Sequence, residues 1–198
     1  MKKLFCGLLT LLILCGNALI SGVVSADPGD KMYIEVLNHK PNNHIPEDLA
    51  VEMTENPNYY KYTNRRFGFT AYIPAEIDKC DLPQNGDGVK FTGKTCPGIT
   101  VSGMHNVTKA TVESEYQDAL ARHPEAAYHD CGEDWYVITY QSPQYGYIVY
   151  QKTFVDRRYI NTLHFMYPGE DAERFNAMIE MIEAHFVPGW KTGNKIWG

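Results

Sequence analysis

The stretch from Tyr62 to Gly103 constrains the fold of this chain more than any other. It reads Y-T-N-R-R-F-G-F-T-A-Y-I-P, then P-Q-N-G-D-G-V-K-F, then I-T-V-S-G. Phe67, Phe69, Ala71 and Ile73 alternate with Gly68, Thr70 and Tyr72. That is the period-two pattern of a half-buried strand, and Pro74 stops it. Asn85-Gly86-Asp87-Gly88 is the strongest turn signal in the chain, because Gly and Asn tolerate a positive φ. Val89 to Phe91 and Ile99 to Met104 then predict a hairpin, turning between Gly93 and Gly98.

The elements that follow are read the same way. Thr111 predicts a helix N-cap, with Glu113 and Glu115 in the first turn, where the helix dipole favours them. Val112, Tyr116, Ala119, Leu120 and His123 give this helix one apolar face, and Pro124 ends it. Four strands follow: Ala126–Asp130, Trp135–Gln141, Tyr145–Val155 and Tyr159–Tyr167. A last helix from about Asp171 to Phe186 carries Ala172, Phe175, Ile179, Ile182 and Phe186 at steps of three and four. The expectation is an α+β domain over 61–189, one antiparallel sheet flanked by helices. Residues 27–60, with Pro28, Pro41, Pro46 and Pro57, read as an irregular arm. Within it Met32–Leu37 suggests a short strand and Glu47–Thr54 a short helix entered by Pro46. Residues 190–198 are a tail.

The first 26 residues read as an export signal. Lys2 and Lys3 precede the apolar run Leu4–Ile20, and Val24-Ser25-Ala26 offers small residues for cleavage. Lipidation at Cys15 is the alternative, although Leu14 is large for that processing. The mature product is expected outside the cytoplasm, with no transmembrane segment left. It would keep 16 basic residues against 24 acidic ones, a net charge of −8. Such a surface disfavours nucleic acid, and no polybasic run addresses anionic lipid. Cys80, Cys96 and Cys131 remain after cleavage. One disulfide and one odd thiol are expected, either Cys80–Cys131 or Cys80–Cys96.

Two resemblances enter on these residues. The blocks from Tyr62 to Gly103, with G-Y-I-V-Y-Q-K-T and a final helix ending F-V-P-G, resemble a group of small secreted bacterial proteins without assigned activity. More remotely, the F-G-F-T-A-Y-I-P strand and the element order are similar to the PsbP-like fold, whose namesake docks on photosystem II. That likeness implies a binding or accessory role and carries over no residue.

Catalytic signatures are sparse. Val101-Ser102-Gly103 lacks the first glycine of a serine-hydrolase elbow. His129-Asp130-Cys131 puts a thiol near an imidazole in sequence, but adjacent strand residues point to opposite faces. No H-E-x-x-H, P-loop or G-x-G-x-x-G occurs, and nothing asks for a cofactor. Strand parity does gather one constellation. It places the loop 74–88, the exit at Met104-His105 and the turn 130–134 at one end of the sheet. Asn85, Asp87, His105, Asp130 and Asp134 are the ligand candidates there, with Asp78, Asp81, Asp87 and Glu133 as metal candidates. Carboxylates in number suit a hard cation. Tyr136, Tyr140, Tyr147, Tyr150, Tyr159 and Tyr167 on the late strands offer an aromatic platform, or simply good strand formers. The expected function is that of a secreted or cell-envelope binding or accessory protein, taking a cation or cationic ligand at this acidic end. A hydrolase with a dispersed site, and an inhibitor or immunity-like protein docking on an enzyme, are the alternatives.

Overall fold

The structure, a computed structural model, describes residues 27–93 and 96–193. The expected export signal and the end of the tail lie outside these residues. Eleven strands join in a single sheet. β1 (Lys31–Val36), β2 (Asp48–Met53), β3 (Tyr59–Thr63) and β4 (Thr70–Pro74) form one antiparallel meander. β5 (Lys79–Asp81), β6 (Gly88–Gly93) and β7 (Cys96–His105) form a second. After helix α1 (Val112–Arg122) come β8 (Tyr128–Cys131), β9 (Trp135–Gln141), β10 (Ile148–Val155) and β11 (Tyr159–Tyr167). The order across the sheet is β4-β3-β2-β1-β5-β6-β7-β11-β10-β9-β8. Helix α2 (Ala172–Ala184) and a short 3-10 turn at Gly189–Lys191 close the chain.

This corrects the expected helix-flanked α+β arrangement, and with it the PsbP-like architecture. Strands take 42 % of the described residues and helices 18 %, so the sheet dominates and two helices decorate it. The sheet is also mixed: β1 and β5 run parallel, with Glu35 opposite Lys79 and Val36 opposite Cys80. That pair welds the first meander to the second. Residues 27–60 are therefore no irregular arm, since they supply β1, β2 and the start of β3. Asp48–Met53 is a strand where Pro46 had suggested a helix. Leu49 and Val51 face Ile34 and Met32 across the β1–β2 ladder, and this long-range pairing outweighs a local helix-start signal.

A sheet this wide curls. Tyr60 and Tyr62 of β3 touch Phe91 of β6, with ring centroids 6.2 and 5.6 Å apart, although three strands separate β3 from β6 in the sheet. The main core lies inside that curl. Helix α2 plugs it with Phe175, Met178, Ile179 and Ile182, the face that the three-four spacing marks. Phe186 follows the helix and lies between Phe69 and Phe154. On the opposite face, α1 builds a second, smaller core from Tyr116 and Ala119 against Tyr136, Ile138, Val155 and Ile160. Its N-cap is Thr111, in a reciprocal box with Ser114.

The β3–β4 turn is the knot of the fold. Asn64 is 2 % exposed and uses its whole amide. Its Nδ2 donates to Tyr62 Oη (3.1 Å) and to the Gly86 carbonyl (3.1 Å). Its Oδ1 accepts from the amides of Arg66 (3.0 Å) and Phe67 (2.7 Å). One side chain thus holds the turn and the N-G-D-G loop together, with every donor and acceptor satisfied. Gly86 sits in that loop at φ +70°, which only glycine adopts without strain. Gly189 presses onto the same turn, and a Cβ there would lie 1.7 Å from the Phe67 carbonyl oxygen. The Gly189 amide donates to Asn161 Oδ1 (3.0 Å), which pins the end of the chain over β11.

Candidate functional site

The acidic end is built differently from its sequence reading. The ladders place the loop after β5, the end of β7 and the β8–β9 turn along one rim. Between β5 and β8, however, lie six strand steps, about 29 Å measured along the sheet. Asp78 precedes β5, at its other end. Among the described residues no three His, Cys, Asp or Glu side chains gather to hold a metal ion, so Asp78, Asp81, Asp87 and Glu133 form no centre.

The carboxylates of this rim also have internal partners. Asp87 pairs with Arg66 at 2.7 Å and accepts from Asn85 Nδ2. Arg66 also donates to the Asn85 carbonyl at 2.5 Å. Asp134 pairs with Lys191. Asp130 Oδ1 accepts from the Cys131 amide (2.8 Å). His105 packs its ring between Phe67 and Tyr159. These are the contacts of turns that hold themselves together.

His129 and Cys131 need a further correction. They are two residues apart, so β8 turns both to the same face, the one shared with their ladder partners Ile138 and Tyr136. The His129 ring is hydrogen-bonded through Nδ1 to Tyr116 Oη at 2.5 Å and not to the Cys131 thiol. Cys131 is exposed and free, and Cys80 is buried and free, on the far side of those six strand steps. The Cys80–Cys131 bridge is therefore not made, while the side chain of Cys96 lies outside the described residues. Burial pushes the Cys80 thiol up to about 12 and the Tyr62 hydroxyl likewise to about 12. The tyrosines do not form one platform: Tyr136 and Tyr140 pack with α1, whereas Tyr150, Tyr159 and Tyr167 line the main core.

The site that the fold assembles is basic. On the outer face of the first meander lies an open groove of about 630 Å³. Lys31, Lys61, Arg65 and Lys191 line it, together with one carboxylate, Glu52. Three threonines, Thr63, Thr70 and Thr192, add hydroxyls. The ladders explain the arrangement. Lys31 stands opposite Glu52, and Glu52 opposite Lys61, so the three form a row across β1, β2 and β3. Thr63 and Arg65 follow Lys61 at steps of two. The segment after α2 bridges back to β4, where Thr70 and Val187 exchange both backbone hydrogen bonds. That bridge delivers Lys191 and Thr192 to the groove.

Lys61 is held by Glu52 at 2.6 Å, and Lys191 by Asp134. Lys31 and Arg65 are exposed and have no ion-pair partner among the described residues. The sequence shows no polybasic run because the four cations come from three distant segments. The one local signal is Lys61-x-Thr63, an alternation that aims polar groups to one side of β3, with Arg65 in the turn just beyond it. Comparison with family models, with curated proteins and with solved structures gives no match for this chain. Among the described residues, no helix is long and apolar enough to cross a membrane.

Proposed function

We propose that this is a binding protein that acts outside the cytoplasm and takes an anionic ligand in the basic groove of the first meander. One observation carries the reading. In a chain whose formal net charge is −6, four cations and a single carboxylate line one groove. Charged residues on an acidic protein do not collect by sign without a cause, since like charges repel. Arg65 offers a planar fork for a carboxylate or phosphate, and the lysines add point charges. The groove has the volume of a small-ligand site. The likeness of the Tyr62–Gly189 pattern to small secreted proteins, together with the leader-like first 26 residues, supports the compartment.

The test is a titration of the isotope-labelled chain with pyrophosphate at low ionic strength, followed by backbone amide shifts. Shifts should gather at Lys31, Lys61–Arg65, Thr70 and Lys191–Thr192. Shifts centred on 82–87 or 130–134, or no shifts at all, would reject the groove as the site.

A further inference from the structure

We infer that the ligand of this groove is a short oligoanion, carrying two or more phosphate or carboxylate groups spaced by about 10 Å, and that Glu52 holds its place until it binds. The inference rests on the anion-binding reading above and goes further in naming the class of ligand. Its first support is spacing. Lys31 and Lys61 stand in register two strands apart, which sets their backbones about 10 Å apart. Arg65 lies four residues beyond Lys61 and widens the spread. One compact anion fills part of this spread, and a chain of charges spans all of it.

The second support is the occupant already present. Glu52 lies between the two lysines in the row and pairs with Lys61 at 2.6 Å. Both side chains are about 40 % exposed, 38 % for Lys61 and 42 % for Glu52. An ion pair at that exposure is weakly held, so an incoming anion can displace the carboxylate. The third support limits the length. The chain outside the groove is acidic overall, so a long polyanion leaving the groove meets repulsion. A short one does not.

The test compares a short-chain polyphosphate, an oligogalacturonate and inorganic phosphate by calorimetry, on the full chain and on E52Q. One or both oligoanions should bind about tenfold or more tighter than inorganic phosphate, because linked charges engage linked sites. The two oligoanions distinguish phosphate from carboxylate as the source of the charge. E52Q should fold normally by circular dichroism and bind the oligoanion about fivefold tighter, the gain from removing one adjacent like charge near water. Inorganic phosphate binding as tightly as the oligoanions would overturn the oligoanion and leave the groove an anion site. Unchanged or weaker binding by E52Q would overturn the role given to Glu52. Absence of binding by all three ligands would remove the groove reading as well.

Discussion

Two charged regions of this protein look alike in kind and differ in what their charges do. The acidic rim, formed by residues 81–87 and the turn 130–134, carries Asp81, Asp87, Asp130, Glu133 and Asp134. Asp87 and Asp134 are each neutralised by a cation, Arg66 and Lys191. The basic groove draws its cations from residues 31, 61, 65 and 191, and two of them, Lys31 and Arg65, stay unpaired among the described residues. The rim's Asp87 and Asp134 are spent on internal pairs, and half of the groove's cations are left available. Closely spaced acidic turns form easily because Asp and Asn bond their own backbone. Four like charges gathered across a sheet have no such local reason.

The contrast breaks most severely at Asn64. N64A removes the amide that ties the β3–β4 turn to Gly86 and leaves the Phe67 amide without its partner. Stability should fall by about 3 kcal/mol, the cost of several buried polar groups losing hydrogen bonds. Chemical denaturation measures it. A loss below about 1 kcal/mol would mean that the rim is not held from beneath as described.

A smaller effect comes from alkali. Burial raises Cys80 and Tyr62 above their ordinary values of 9.0 and 10.0 to about 12 each. The folded chain therefore keeps these protons while the unfolded chain releases them. Stability is intact below about pH 8 and is lost as pH rises through about 9 and 10 toward about 12, by roughly 2 kcal/mol at pH 10 for the two groups together. Denaturation midpoints between pH 8 and pH 11 test the sign, and a flat profile would contradict the burial of both groups. Alkylation should discriminate likewise, with Cys131 modified in the folded chain and Cys80 only after unfolding.

The smallest change in stability sharpens the comparison most. R66A cuts the Asp87 pair, whose side chains are 38 % and 34 % exposed. It should destabilise by about 0.5–1 kcal/mol. R65A, one residue away, should move stability by less than about 0.5 kcal/mol. Adjacent arginines with equal effects would erase the distinction between structural and available charge.

What the sequence makes legible follows from the same distinction. The N-G-D-G turn, the Thr111 cap and the apolar stripe of α2 are local, and each is plain from residue spacing. Parity along the strands also sorts the loops into ends. Parity carries no lateral information, however. It puts 82–87 and 130–134 at one end without showing that β6, β7, β11, β10 and β9 intervene. The parallel β1–β5 pair is invisible for the same reason, because its two short strands are joined through three others. With that pair unseen, β1 and β2 read as an arm, and the face carrying Lys31, Glu52 and Lys61 has no existence before folding. His129 and Cys131 were a matter of counting: a spacing of two shares a face.

The most direct measurement is the affinity of pyrophosphate at low salt for three chains: the unaltered protein, the double variant K31A/R65A, and R66A. All three should fold. Binding should be lost in the double variant, retained in R66A and weakened by added salt in the unaltered chain. Equal affinity in K31A/R65A and the unaltered chain would show that the groove on β1–β4 is not where this protein meets its ligand.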